Sequence, residues 1–340
     1  MRALQLFGDR DLRLGEIDPP PPPGPGEVQI APQLVALNHI DVWGYRGMAF
    51  AQRRLPLVVG AEGAARVVAL GPGVEGLREG QAVAPYGALT CGVCAACRAG
   101  RDNLCEDVRG VLGFHLDGLM RARMNWPARL LVPVPDGVAI EDAACATVTF
   151  GTVQHMLFDN AKLQPGETIL VQAGGSGIGT AAIRIAKALG CTVFTTVGSA
   201  GKMAAAEALG ADVVIDYTRD RFESIVRRRT GKKGVDVVFE HVGASTWEGS
   251  LFCLRPGGRL VTCGSTSGVS AQINLMQLFQ RQQKIFGSFG CTLANVAEAL
   301  AWMARGVRPV IDTIVPMEDF VAGLERLETR QVFGKVLVRL

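Results

Sequence analysis

A glycine-rich turn between an apolar run and an amphipathic segment places the strongest constraint on the fold. The stretch TILVQAGGSGIGTAAIRIAKALG, residues 168–190, reads as a buried strand, a tight turn and a helix. Its glycines let the backbone approach a pyrophosphate, and the helix N-terminus offers unpaired amide donors and the positive end of a dipole. This context predicts a dinucleotide site, with the contact residues Gly174, Gly177, Ile178 and Gly179.

The sequence on either side of this turn predicts two kinds of domain. After about residue 150, apolar strand-like runs such as DVVIDY and GVDVVFEHVG alternate with segments of helical period. That alternation predicts βαβ units and a doubly wound parallel sheet. The first 150 residues are rich in proline, glycine and β-branched residues, which indicates a β-rich domain with long loops. At 340 residues, two domains are expected.

The residues after the second predicted strand favour NADP(H) over NAD(H). An acidic residue at the end of CTVFTTVGS would accept hydrogen bonds from the ribose hydroxyls of NAD, but no Asp or Glu occurs between Thr180 and Ala206. The strand runs instead into Ser199 and Lys202, a hydroxyl and a cation suited to a 2′-phosphate. The alternative for Lys202 is a solvated residue in the first turn of a helix.

Four cysteines in the stretch CGVCAACRAGRDNLC predict one structural zinc ion. Cys91, Cys94, Cys97 and Cys105 are separated by two, two and seven residues. Four thiolates can enclose one tetrahedral Zn²⁺ and leave no coordination position open for chemistry. An iron–sulfur cluster is the minor alternative, because sulfur ligands suit both groups. The remaining cysteines lie in apolar stretches and are expected to be buried thiols.

Charge and hydropathy exclude several classes of partner. A net charge of +3 is too small to indicate a nucleic-acid or membrane partner. No apolar run approaches the length of a membrane span, and the opening MRALQLFGDRD has no signal-like segment. We therefore expect a cytoplasmic protein whose partner is a small-molecule substrate.

Nearly the whole chain resembles the medium-chain dehydrogenase/reductase superfamily, which includes zinc alcohol dehydrogenases and quinone oxidoreductases. The resemblance rests on LPLVVGAEGAARVVALGPGVEGLREGQAV, the cysteine stretch, the glycine turn, LGADVVIDY, RPGGRLVTCG and FGKVLVRL. It implies a GroES-like catalytic domain, formed by residues 1–150 and 290–340, around an inserted Rossmann domain of residues 151–289. It further implies an active site in the cleft between the domains, and a homodimer or homotetramer.

The resemblance also shows which metal ligands this chain lacks. In zinc alcohol dehydrogenases a catalytic zinc is held by two Cys and a His, and those positions correspond here to Asn38, Ala61 and Val148. The Ser or Thr that relays the alcohol proton corresponds to Ile40. Alcohol oxidation needs a group that stabilises an alkoxide, usually a metal, and a path for the proton. Reduction of an enone or quinone requires less, because NADPH can deliver hydride to a conjugated system whose oxygen is hydrogen-bonded by a protein group or water.

The segment LNHIDVWGYRG is similar to the corresponding segment of zinc-free quinone reductases. On this basis Asn38, His39 and Asp41 are the candidate catalytic residues; His39 either contacts substrate or cofactor, or is a hydrogen-bonded structural histidine. The resemblance further places Thr152 near the nicotinamide and Tyr217 against the adenosine phosphate.

Three functions remain open at this point. The first is NADPH-dependent reduction of a quinone, enone or related conjugated carbonyl without a catalytic zinc. The second is an NAD(P)-dependent alcohol or aldehyde dehydrogenase whose second metal uses a shifted ligand set near His39, Glu62 and Cys145. The third is an NADPH-binding protein without turnover.

Overall fold

The chain forms two compact units. The structure, a computed structural model, describes residues 1–47 and 53–340. Unit 1 contains Met1–Gly151 and Cys291–Leu340, and unit 2 contains Thr152–Gly290. No helix of the described residues has both the length and the apolar character needed to cross a membrane.

In the first part of unit 1, the described residues form eight strands and a few short helices. Its strands are β1 (Arg2–Gly8), β2 (Asp11–Glu16), β3 (Glu27–Ala36), β4 (Leu57–Val58), β5 (Gly63–Leu70), β6 (Ala82–Pro85), β7 (Met124–Pro127) and β8 (Leu131–Pro133). Its helices are α1 (His39–Tyr45), α2 (Ala95–Arg98) and α3 (Ile140–Ala143), and α4 (Gly151–Gln154) follows at the boundary with unit 2. Two 3₁₀ turns cover Asp102–Leu104 and Ala128–Leu130.

Unit 2 is a six-stranded parallel sheet with intervening helices. Its strands are β9 (Thr168–Val171), β10 (Thr192–Val197), β11 (Val213–Asp216), β12 (Val235–Glu240), β13 (Leu254–Thr262) and β14 (Lys284–Gly287). Its helices are α5 (Gly177–Ala188), α6 (Ala200–Ala208), α7 (Phe222–Arg229), α8 (Ala244–Cys253) and α9 (Leu275–Gln280). The strand order is β11-β10-β9-β12-β13-β14, so the order reverses at β9. Ligands bind parallel sheets at such a reversal, beyond the carboxyl ends of the strands.

The last fifty residues return to unit 1. They form α10 (Leu293–Ala304), β15 (Ile311–Pro316), a 3₁₀ turn (Met317–Asp319), α11 (Phe320–Glu328) and β16 (Lys335–Arg339). β16 pairs with β3, so the end of the chain joins a sheet of order β15-β16-β3-β5-β6-β8, to which β7 adds on β3. A second sheet has the order β2-β1-β4.

Buried apolar side chains explain why the predicted strands form. In unit 2 the strand residues Leu170, Phe194 and Val238 pack into one cluster with Phe222 and Val226 of α7. These runs are apolar on both faces, as expected for a parallel sheet covered by helices. In unit 1, β3 and β16 are also mostly buried, whereas β15 alternates between half-buried and exposed residues.

Two π-helical turns are features that the sequence analysis did not predict. They cover Ala146–Phe150 and His155–Asn160, on either side of α4. In the first, the Phe150 N–H donates to the Cys145 carbonyl, one residue further back than in an α-helix. Periodicity cannot distinguish such a turn from an α-helix, since a single inserted residue barely changes the pattern, yet π turns are frequent at functional sites.

The contribution of β16 to the free energy of unfolding can be tested by substitution. Leu337 is fully buried, and its register neighbour on β15, Ile314, is 37% exposed. Leu337→Ala is expected to lower the free energy of unfolding by about 3 kcal/mol, because it removes buried methyl groups and leaves a cavity. The matched Ile314→Ala change is expected to cost about 1 kcal/mol or less. Urea unfolding of both variants measures the difference, and equal losses would contradict this assignment of the core.

Candidate functional site

A buried carboxylate lies at the centre of the candidate catalytic region of unit 1. Glu62 follows β4 and is completely buried. Its Oε1 accepts hydrogen bonds from the N–H groups of Val148 (2.7 Å) and Thr149 (2.6 Å). Its Oε2 accepts from the Thr149 hydroxyl (2.8 Å), the Asn38 amide (2.9 Å) and the Lys335 ammonium (3.1 Å). A buried charge is stable only with such partners, and five donors, one of which is the Lys335 ammonium, account for its presence.

The π-helical turn supplies the backbone donors to Glu62. Val148 and Thr149 lie at its centre, where an α-helix would direct their N–H groups to carbonyls one turn earlier. Here both groups point to the carboxylate instead. The local departure from α-helix therefore has a physical role, because it frees two donors for one buried anion.

Asn38 is held on three sides within the same region. Its amide nitrogen donates to the Ala36 carbonyl (3.0 Å) and to Glu62, and its Oδ1 accepts from Lys335 (2.7 Å). Its backbone N–H donates to Asp41 Oδ2 (2.9 Å), which fixes the start of α1. Both amide N–H groups of Asn38 thus donate to acceptors inside the protein. These contacts suit a residue that positions its neighbours.

Asp41 and His39, both on α1, differ in their surroundings. Asp41 is buried and accepts hydrogen bonds from the N–H groups of Asn38 and Ala61. Burial raises the pKa of Asp41 to about 6, although these N–H groups and the Lys335 ammonium oppose the rise. His39 is exposed, with its ring centroid 6.3 Å from that of Trp43. Among the three candidate catalytic residues, His39 presents the accessible side chain.

The positions that correspond to metal ligands in zinc alcohol dehydrogenases surround this network. Ala61 is buried with a methyl side chain, and Val148 contributes its backbone to Glu62. The Cys145 thiol donates weakly to the Glu141 carbonyl at 3.9 Å, and burial raises its pKa. Within residues 1–47 and 53–340, the structure brings together no His, Cys, Asp or Glu trio here that could hold a metal ion. The shifted ligand set of His39, Glu62 and Cys145 is not assembled.

In unit 2 the glycine turn has the close contacts that its sequence implies. A Cβ at Gly174 would lie 2.0 Å from Thr195 Oγ1, and one at Gly179 would lie 2.5 Å from the Ala173 carbonyl. Ser176 is the N-cap of α5, and its hydroxyl accepts from the Gly179 N–H at 2.9 Å. Gly177 and Ile178 form the first turn of α5, with Ile178 half-buried. The arrangement presents a helix N-terminus at the carboxyl end of β9.

The residues predicted to bind the 2′-phosphate and to pack against the adenosine phosphate lie at the ends of two neighbouring parallel strands. Ser199 follows β10 and is the N-cap of α6, where its hydroxyl accepts from the Lys202 N–H at 3.4 Å. Tyr217 follows β11, is 44% exposed and donates its N–H to the Val197 carbonyl. A Cβ at Gly198 would lie 2.5 Å from the Tyr217 hydroxyl, so that ring packs against the glycine beside Ser199. Thr152 is buried in α4.

A buried polar chain behind the glycine turn was missed by sequence reasoning. Glu240 is fully buried and accepts the Ser250 hydroxyl at 2.7 Å, and Ser250 accepts the Gln172 amide at 3.0 Å. Gln172 Oε1 accepts the Thr196 hydroxyl, which accepts the Ala173 N–H at 3.0 Å. The signal was a polar residue at the end of each strand, Gln172 after β9 and Glu240 closing β12.

The cysteine lobe of unit 1 has the geometry of a metal centre. The four Sγ atoms of Cys91, Cys94, Cys97 and Cys105 lie within 4.8 Å of one another. A tetrahedral zinc with Zn–S bonds of about 2.3 Å separates its sulfurs by roughly 3.8 Å, so the set fits one ion. Backbone N–H groups point at the sulfurs, including Cys94 to Cys91 at 3.3 Å and Cys97 to Cys94 at 3.4 Å. N–H donation from Cys97 and Glu106 lowers the pKa of Cys94 to about 6, which favours the thiolate.

Comparison with known protein families agrees with both units. Residues 24–136 match the alcohol dehydrogenase GroES-like domain family, and residues 177–305 match the zinc-binding dehydrogenase family. These matches confirm the predicted resemblance and the predicted fold class of a GroES-like domain with a Rossmann-type parallel sheet. Together with the cysteine lobe they indicate a zinc site.

Individual relatives include reductases and dehydrogenases. The chain is 34% identical over 262 residues to a quinone oxidoreductase of Pseudomonas aeruginosa, an alignment covering 77% of this chain and 72% of the relative. It is 30% identical to an acryloyl-coenzyme A reductase of Metallosphaera sedula, over 94% of this chain and 93% of the relative. A crystal structure of an NAD-dependent alcohol dehydrogenase superimposes with a TM-score of 0.94 at 39% identity, covering the whole of both chains.

The cysteine lobe gives a direct test of metal binding. Cys94→Ser is expected to remove bound zinc and lower the thermal midpoint by several degrees, because three thiolates no longer enclose the ion and the loop loses its cross-link. Metal analysis by mass spectrometry and a melting curve measure both effects. Cys263→Ala, which changes a cysteine of unit 2 outside the lobe, is the control and keeps its zinc. Full zinc retention in the Cys94 variant would show that the metal, if present, binds elsewhere.

Proposed function

Because the chain belongs to the medium-chain dehydrogenase/reductase superfamily of NAD(P)-dependent oxidoreductases, we propose that it reduces a conjugated carbonyl compound. The substrate class is a quinone, an enone or a related α,β-unsaturated carbonyl, NADPH is the reductant, and no catalytic zinc takes part. The quinone oxidoreductase and acryloyl-coenzyme A reductase among its relatives act on compounds of this class.

The observation that carries the proposal is the saturation of Glu62. Its two carboxylate oxygens accept five hydrogen bonds, one of them from the Lys335 ammonium. The surrounding positions present an amide, a methyl and an isopropyl side chain at Asn38, Ala61 and Val148. None of these is a good zinc ligand. An alcohol dehydrogenase mechanism would lack its Lewis acid here.

The side chains of α1 support conjugate reduction. Bound NADPH supplies the hydride. The protein must then hold the conjugated system and donate a hydrogen bond to the substrate oxygen, and a proton from water balances the added hydride. We assign the donor role to His39, the exposed member of the α1 candidates, whose ring nitrogens can donate. Asn38 and Asp41 orient the start of α1, on which His39 is the first residue.

The zinc ion, in this proposal, is single and structural. Cys91, Cys94, Cys97 and Cys105 would hold it with all four coordination positions filled by sulfur. It would cross-link the lobe and supply no chemistry to the reaction.

The function is tested by turnover and metal content measured on the same preparation. We expect NADPH oxidation with a panel of quinones and enones, and about one zinc per chain. Alcohol-dependent reduction of NADP⁺ together with two zinc ions per chain would overturn the proposal in favour of an alcohol dehydrogenase. Tight NADPH binding without turnover on any quinone, enone or alcohol would instead identify a non-catalytic binding protein.

Cofactor preference is tested separately at Lys202. We propose that Ser199, Lys202 and Tyr217 bind the 2′-phosphate, on the basis of their placement at the ends of β10 and β11. Lys202→Ala is expected to lower kcat/KM for NADPH by about 10- to 100-fold, since a charge-assisted hydrogen bond is lost, and to leave NADH almost unaffected. Lys233→Ala, an exposed lysine of the same unit, is the control. A wild-type preference for NADH would contradict this assignment.

A further inference from the structure

Lys335 is an unusual residue for unit 1. Every other lysine of the chain lies within residues 152–290, and the cations of unit 1 are otherwise arginines. Lys335 is the first residue of β16, and its side chain is only 3% exposed. Lysine is among the residues least often buried in proteins, so a specific requirement must hold it at this position.

The ammonium group of Lys335 uses all of its hydrogen-bond donors. It donates to the Leu37 carbonyl (2.7 Å), to Asn38 Oδ1 (2.7 Å) and to Glu62 Oε2 (3.1 Å). Three acceptors around one compact cation match the three N–H groups of an ammonium. A guanidinium is planar and larger, so arginine would not fit the same three oxygens. This explains a lysine in an otherwise lysine-free unit.

The elements that Lys335 joins are those that carry the candidate catalytic groups. Asn38 precedes α1 and His39, and Glu62 caps the π-helical turn of Val148 and Thr149. In zinc alcohol dehydrogenases, Asn38 and Val148 would correspond to metal ligands. Lys335 contacts the first of these positions directly and reaches the second through Glu62.

We propose that Lys335 is a positioning residue for the reaction, a fixed internal cation that holds the start of α1 and the π-helical turn in register through Asn38 and Glu62. The inference rests on the proposed metal-free reduction and extends it to the residue that orients these two segments. Lys335 does not act as a Lewis acid, because all three of its N–H groups are occupied by protein oxygens.

The positioning role of Lys335 must be separated from a contribution of the Lys335–Glu62 ion pair to stability alone. Replacement of a buried ion pair by neutral side chains of similar size is often neutral or stabilising, whereas removal of one partner leaves an unpaired charge and is strongly destabilising. The double variant Glu62→Gln/Lys335→Met removes both charges and keeps the volume. It is therefore expected to fold, which separates positioning from stability.

The experiment compares Lys335→Met, Lys335→Arg and the double variant with wild type, with the exposed Lys233→Met as control. Hydrogen exchange of the Val148 and Thr149 amides is measured in each, together with the melting temperature, NADPH affinity, kcat and KM. In the double variant we expect a melting temperature close to that of wild type, exchange faster by about tenfold, and kcat lower by about tenfold with NADPH affinity unchanged. Lys335→Arg is expected to show the same loss of kcat, and the control to behave as wild type.

Two outcomes would overturn the inference. The first is a folded double variant with wild-type exchange at Val148 and Thr149. The second is faster exchange with wild-type kcat and KM, which would show that the held segments do not matter for the reaction. If wild type itself turns over no conjugated carbonyl, the proposed function fails and the exchange measurement alone decides whether Lys335 holds the turn.

Discussion

The desolvated charge of Glu62 is the constraint on which the rest of unit 1 depends. A carboxylate removed from water costs several kcal/mol unless donors and a counter-charge replace its hydration. Those partners come from three other parts of the chain: Asn38 after β3, the turn of Val148 and Thr149, and Lys335 of the closing strand. Each partner must be in place at once, so the carboxylate favours a single relative arrangement of these segments.

The parts of the structure that are local in sequence could be predicted, and the parts that depend on distant residues could not. The glycine turn and the strands of unit 2 follow from apolar runs, helical periods and turn residues within about thirty positions, and the four cysteines lie within a single short loop. The Lys335–Glu62 contact spans 273 residues. No periodicity links those two positions, and only the pairing of β16 with β3 brings the lysine to the carboxylate.

The position of the candidate catalytic residues could be predicted from local sequence, whereas the direction of their side chains could not. Sequence reasoning located the segment from Asn38 to Asp41 because of its resemblance to zinc-free quinone reductases, but side-chain orientation depends on partners elsewhere in the fold. Asn38 directs its amide towards Glu62, and Asp41 directs its carboxyl back to the Asn38 N–H, so both serve the scaffold. Such roles are expected on physical grounds, since polar groups in a buried region must be paired.

The cysteine lobe contributes to this arrangement although its metal performs no chemistry in the proposed reaction. Asp102, which lies between Cys97 and Cys105, is buried and accepts the Leu293 N–H at the start of α10. Just before that helix, the Cys291 thiol donates to the Thr147 carbonyl at 2.9 Å, within the π-helical turn that binds Glu62. A Cβ at Gly151 would approach the same sulfur to 2.6 Å, so only glycine allows this packing. The lobe therefore supports, through Asp102 and α10, the turn whose N–H groups stabilise the buried carboxylate.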